Sequence, residues 1–107
     1  MTTSPQIAEI VTFRLAAGAG EAAFVEAAAS VETMLTTSGQ MLARTLSKSP
    51  DGTWSDHIVW SDEAAARAAA TEVMQSPACA PFMSLIDPDS VQMSHGTIAR
   101  RMDETST

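Results

Sequence analysis

Tyrosine is absent from the 107-residue chain, and reading it through turns up no asparagine either. Chemistry that depends on a phenol or on an asparagine carboxamide is thereby excluded. Cysteine occurs once, as Cys79, so no intramolecular disulfide can form and the chain reads as belonging to a reduced, cytoplasmic setting. Basic side chains are scarce: six Lys and Arg stand against 13 Asp and Glu, a formal net charge of -7. That balance makes phosphate backbones and anionic membranes unattractive partners, and nucleic acid drops out. Long apolar runs are missing as well. The most apolar stretch, Ala64 to Ala70, is interrupted by Arg67 and falls short of the roughly 18 continuous apolar residues of a membrane span. Residues 1–5, MTTSP, lack the positive charge and apolar stretch of a secretory leader.

What the chain does have is 45% hydrophobic content in a length that suits one domain, with a core over about residues 7–100 and a polar tail at 101–107. Ile7 to Leu15 is rich in β-branched and aromatic residues and predicts a first strand. After Gly18 and Gly20, Glu21 opens a helix in which Phe24, Ala27, Ala28, Val31 and Leu35 recur at helical spacing, and Gly39 ends it. Met41 to Ser49 and Trp54 to Trp60, joined by Pro50, Asp51 and Gly52, predict a hairpin. Ser61 is the expected cap of a second helix whose narrow stripe of Ala66, Ala69, Ala70 and Val73 implies close approach to a sheet. A short helical piece over Cys79 to Ile86 and a last strand from about Ser90 to Arg100 complete the chain.

The order strand, helix, strand, strand, helix, strand is that of an α+β, ferredoxin-like split β-α-β sandwich: a four-stranded antiparallel sheet with helices on one face. Both side-chain parities of the strands hold apolar groups, Val11 and Phe13 against Ile10, and Ile58 and Trp60 against Val59. One layer of helices buries only one of them. The other face is therefore expected to be covered by a second copy of the chain, most economically with two-fold symmetry.

The stretches IVTFRLAAGAGEAAF from Ile10, HIVWSDEAA from His57 and MQSPACAPFMSLID from Met74 resemble the dimeric α/β barrel superfamily. Within it they are similar to the antibiotic-biosynthesis-monooxygenase-like domains, over nearly the whole span from Ile7 to Arg100. The resemblance implies a homodimer whose sheets pack face to face. It also implies a range of activities, from cofactor-free oxygenases of aromatic substrates through haem-degrading enzymes and isomerases to proteins of no assigned activity. The haem-degrading branch uses an Asn on the first strand and a His on the second helix, and this chain has neither. The quinone-forming oxygenases rely on Tyr and Asn, both missing, which leaves Trp54 and Trp60 as stacking groups. Other folds with this strand order fit less well. RNA-binding members need a basic setting, metallochaperones a Cys-x-x-Cys pair and acylphosphatases an Asn.

The candidate chemistry rests on few residues. His57 and His95 are the only imidazoles, and the strand order allows them to line one face about 10 Å apart, either as a general base and a donor toward a small ligand or as satisfied surface histidines. Asp56 adjoins His57, but neighbours on a strand point to opposite faces and form no dyad. Ser55 shares a face with His57 without any nucleophile elbow. No three of His57, His95, Glu9, Asp56 and Cys79 have a metal-ligand spacing, so neither metal nor cofactor is expected. Arg14 and Arg44 either hold a substrate carboxylate or enolate or pair with acidic neighbours. Phe13, Trp60 and the methionines are candidates to wall a hydrophobic pocket.

The expected function is that of a homodimeric, cofactor-independent monooxygenase-like enzyme acting on a small apolar or aromatic substrate. His57 and His95 would move protons, and Arg14, Phe13 and Trp60 would bind. The alternative is a non-catalytic dimeric module that binds a small apolar ligand or serves assembly.

Overall fold

The computed structural model describes residues 5–37 and 39–102; the first four residues of the segment read for a leader and most of the expected polar tail, from 103 on, lie outside the described residues. Among the described residues nine elements include four strands, β1 (Ile7–Phe13), β2 (Met41–Lys48), β3 (Trp54–Trp60) and β4 (Gln92–Thr97), and three helices, α1 (Glu21–Thr37), α2 (Glu63–Gln75) and α3 (Ala80–Ser84). The other two are single 3-10 turns at Pro77–Cys79 and Pro88–Ser90. All strand pairs are antiparallel and the sheet order is β2-β3-β1-β4, the ferredoxin-like arrangement read from the sequence.

Local chemistry sets the boundaries. The β2–β3 hairpin closes through Gly52, whose φ of +90° suits a residue without Cβ and whose N–H donates to the Ser49 carbonyl at 3.0 Å. β1 ends at Phe13, two residues earlier than expected, because Leu15 leaves the ladder for an isolated bridge to Ile86. β4 begins two residues late because Pro88 starts a turn that Asp87 caps by accepting from the Asp89 N–H.

The cap of α2 is a correction. Ser61 is not the N-cap; Asp62 is, with its carboxylate accepting the Ala65 N–H at 2.8 Å. Ser61, just past β3, has its N–H donating to the carbonyl of Gln40, just before β2, at 2.9 Å, so the helix starts one residue later. Its buried hydroxyl finds no hydrogen-bond partner among the described residues.

The register assigns each side chain a face. Ile7, Glu9, Val11 and Phe13 of β1 align with Trp60, Ile58, Asp56 and Trp54 of β3 beneath the helices. The core there centres on the fully buried Phe24 of α1, with ring centroids 5.6 Å from Phe13, 4.9 Å from Trp54 and 5.2 Å from Phe82. Ala8, Ile10 and Thr12 point the other way, beside Ala43, Thr45, Ser55, His57 and Val59. Among the described residues no helix covers that face, and it is less apolar than expected: His57 stands opposite Ile10, and Thr12, Ser55 and Thr45 flank that pair.

The alanine stripe behaves differently along its length. Ala65 and Ala66 are buried at the start of α2, as close approach requires. Toward the helix end, Ala69 and Ala70 fail to fill the space above the sheet, and a cavity results.

Candidate functional site

The cavity lies between the helices and the sheet and has a volume of about 240 Å³. Its walls are largely apolar: Val31 and Leu35 come from α1, Val73 from α2, Phe82 from α3, and Phe13 and Ile58 from the sheet. Met74, Met83, Val91 and Met93 also line it and are all substantially exposed, which places an apolar rim at its opening. Three charged residues, Glu9, Arg44 and Asp56, complete the lining.

Arg44 and Asp56 satisfy each other. The guanidinium donates through Nε to Asp56 Oδ1 at 2.9 Å and through Nη2 to Oδ2 at 2.8 Å, a two-pronged contact between neighbouring strands. Its Nη1 donates to the Ala28 carbonyl of α1 at 3.0 Å, and the Phe82 ring lies 5.7 Å from the guanidinium carbon. Both side chains are over nine-tenths buried, at 7% and 9% exposure. A charge removed from water needs such pairing, and Arg44 gives three of its five N–H donors to protein acceptors on β3 and α1.

Glu9 is the other buried acid. Its Oε1 accepts the indole N–H of Trp60 at 2.9 Å and lies 3.6 Å from His95 Nε2. The carboxyl is held above its ordinary value of 4.5 mainly because burial penalises the charged form. The nearby Asp56 pushes the same way, whereas the Trp60 hydrogen bond and His95 oppose it. His95 does not line the cavity, but its side chain keeps 27% exposure and so links Glu9 to solvent.

The other expected residues fall as follows. Phe13 and Trp60 do wall the cavity. Arg14 is not among its lining residues: it follows β1 on the exposed side, and its Nη2 donates to the Asp51 carbonyl of the hairpin turn at 2.9 Å. Trp54 is core, packed on Phe24 rather than open to a ligand. His57 and His95 do not share a face, since His57 aligns with Ile10 on the open side and His95 with Glu9 on the helix side. Among the described residues no group of three or more His, Cys, Asp and Glu side chains is arranged to hold a metal ion.

Glu9 and Asp56 were weighed from the sequence only as metal ligands and, for Asp56, as a partner of His57, not as buried acids lining a cavity, although a signal for that was present. Each is a carboxylate in the apolar parity of its strand, Ile7-Glu9-Val11-Phe13 and Trp54-Asp56-Ile58-Trp60, and a charge in that parity is buried.

No protein-family model matches the chain, and a search of curated proteins finds no relative. Solved structures do match. SnoaB, a cofactor-independent oxygenase from Streptomyces nogalater, aligns with a TM-score of 0.72 at 17% identity, over 94% of this chain and 100% of its own. A candidate antibiotic biosynthesis monooxygenase from Bordetella bronchiseptica aligns with a TM-score of 0.74 at 13% identity, over 91% and 100%. The chain shares the α+β ferredoxin-like fold of these proteins. A protein of unknown function from Nitrosomonas europaea shares it, with a TM-score of 0.69 at 17% identity over 98% and 100%, so this fold carries more than one assignment. Among the described residues no helix is long and apolar enough to cross a membrane.

Proposed function

We propose that the chain is a homodimeric, cofactor-independent monooxygenase-like enzyme that takes a small apolar or aromatic substrate into the helix-side cavity. The observation that carries this reading is an apolar cavity of about 240 Å³, walled by Phe13 and Trp60, with the Glu9–His95 pair at its side. The likeness in fold to a cofactor-independent oxygenase supports it. In such a reaction the substrate supplies the electrons: loss of a proton from a phenol leaves an electron-rich anion, and phenol plus dioxygen gives quinone plus water. The protein's tasks are then to exclude bulk water, hold the ring and move protons. In this reading His95 moves protons by way of Glu9, and Phe13 and Trp60 bind. His57 and Arg14 stand away from the cavity and have no part in this reading.

The homodimer is proposed through the open sheet face, where Ile10 is 40% exposed and a broad groove runs past His57 and Val59. The buried free thiol of Cys79 suits the reduced, cytoplasmic compartment proposed for it. Native mass spectrometry of freshly purified protein tests assembly and bound ligand together; a monomer at micromolar concentration overturns the dimer. Oxygen uptake with a panel of one- and two-ring hydroxyarenes tests catalysis. His95→Ala is expected to slow turnover at least tenfold and His57→Ala to leave it unchanged. Binding without oxygen uptake across the panel would leave a ligand-binding module instead.

A further inference from the structure

The open sheet face holds a second cavity, unlike the first in what it offers. Across one row of the sheet stand Ala43 of β2, Val59 of β3, Ala8 of β1 and Gly96 of β4. Three of the four carry a methyl group or nothing, so the row is a trough beside the taller row of Thr45, His57 and Ile10. A Cβ at Gly96 would meet no atom within 4 Å, which puts open space above it. The chain after β4 forms the other wall. The Ile98 N–H donates to the Gln6 carbonyl at 2.9 Å, which extends the β1–β4 ladder by one bond and sets Arg100 and Arg101 beside the trough. The cavity so formed has a volume of about 450 Å³.

Its charge is opposite to that of the chain. The lining residues include two arginines, the His57 imidazole and the threonines Thr45 and Thr97, and no carboxylate. The chain as a whole carries a formal net charge of -7. His57, Thr45 and Arg100 are all exposed, so a ligand reaches them from solvent. Such a cluster in an acidic chain selects by size: the overall field repels a polyanion, whereas a small anion meets the local donors. The rest of the lining, Ala8, Ala43, Val59 and Ile98, is apolar and suits a short hydrocarbon body better than a bare ion.

We propose that this trough binds a small organic oxyanion, a carboxylate or phosphate monoester with a short apolar body. The head lies against Arg100 and Arg101, with the donors of His57 and Thr45 beside it, and the body lies over Ala8, Ala43 and Val59. The site is on the opposite side of the sheet from the helix-side cavity and does not depend on the oxygenase reading. It shares a face with the proposed dimer contact, where a second copy would roof the trough, so binding and assembly are measured separately.

Isothermal titration calorimetry at low ionic strength tests the site with hexanoate, hexyl phosphate, acetate and hexanol. The wild type is expected to bind hexanoate or hexyl phosphate about tenfold or more tightly than hexanol, which lacks the charge, and than acetate, which lacks the body. The tighter of the two six-carbon anions identifies the head group. Arg100→Ala, at an exposed position, is expected to weaken that anion about tenfold. Gly96→Val, where the backbone admits a side chain and nothing stands in its way, is expected to fill the trough and abolish binding. Hexanol bound as tightly as either anion, no anion binding at millimolar concentration, or an affinity unchanged in Arg100→Ala or Gly96→Val overturns the proposal. Should Gly96→Val fail to fold, the hexanol comparison and Arg100→Ala still decide. Sedimentation velocity in the same buffers separates this site from the dimer. A monomer that binds the anion with these dependences sustains the inference and defeats the dimer reading, and a dimer that binds no anion does the reverse.

Discussion

Asp56→Ala is expected to destabilise the fold far more than the loss of a surface ion pair would. The Asp56 carboxylate receives two donors of Arg44, and both side chains are over nine-tenths buried. Its removal strands a guanidinium between Phe82 and the apolar cavity wall, tied only to the Ala28 carbonyl. Breaking a buried pair in this way costs about 3–5 kcal/mol, against a total of roughly 5–15 kcal/mol for a domain. At a urea slope of about 2 kcal/mol/M, a loss of about 4 kcal/mol lowers the unfolding midpoint by about 2 M. Circular dichroism in urea at neutral pH reads the shift directly. The double variant Arg44→Met with Asp56→Leu removes both charges and supplies apolar volume, so it is expected to recover most of the loss. A fall of less than about 0.5 M for Asp56→Ala would put the pair in the class of solvent-screened contacts, worth about 1 kcal/mol or less, and refute the reasoning.

Phe24→Ala removes the ring at the centre of the aromatic cluster and is expected to cost roughly 3–5 kcal/mol in the same urea assay, because Phe24 is fully buried against Phe13, Trp54 and Phe82. Asp62→Ala is expected to cost about 0.5–2 kcal/mol as a lost helix cap. Ser61→Ala, which removes an unpartnered buried hydroxyl, should be neutral or stabilising; thermal melts of the two variants compare them. Glu9 gives stability a pH dependence of known sign. Its folded-state affinity for a proton is raised, so the folded state binds more protons than the unfolded state in the window from pH 4.5 upward to its raised value. The stability contribution is therefore present in acid and lost as pH rises through that window. Urea midpoints measured across it should fall less steeply in Glu9→Gln than in the wild type.

The fold was legible because hydrophobic period and turn chemistry agree along most of the chain. The recurrence of Phe24, Ala28, Val31 and Leu35 makes α1, and Pro50, Asp51 and Gly52 turn the hairpin. The errors of one or two residues fall where competing partners decide. Ser61 and Asp62 both have the chemistry of a cap, and only the Gln40 carbonyl, held by the sheet, determines which serves. The site was less legible because it depends on pairing register. Whether His57 and His95 share a face turns on which residue of β1 stands opposite each, and no local pattern states that. Glu9 and Asp56 were visible as charges in apolar parity, but the satisfaction of Asp56 by Arg44 and the contact of Glu9 with Trp60 are properties of three-dimensional neighbours.

The alanines of α2 give the molecule a division of labour. Ala69 and Ala70 bound the cavity with nothing beyond a methyl group, while the aromatic cluster and the Arg44–Asp56 contact lie on other elements. A larger side chain at either alanine would shrink the cavity without disturbing a strand pairing, a buried charge or the ring of Phe24. Two methyl groups late in α2 thus set part of the volume on offer to a ligand, while the start of the same helix and the other elements hold the core together, so a change at Ala70 alters what the cavity admits before it alters the fold.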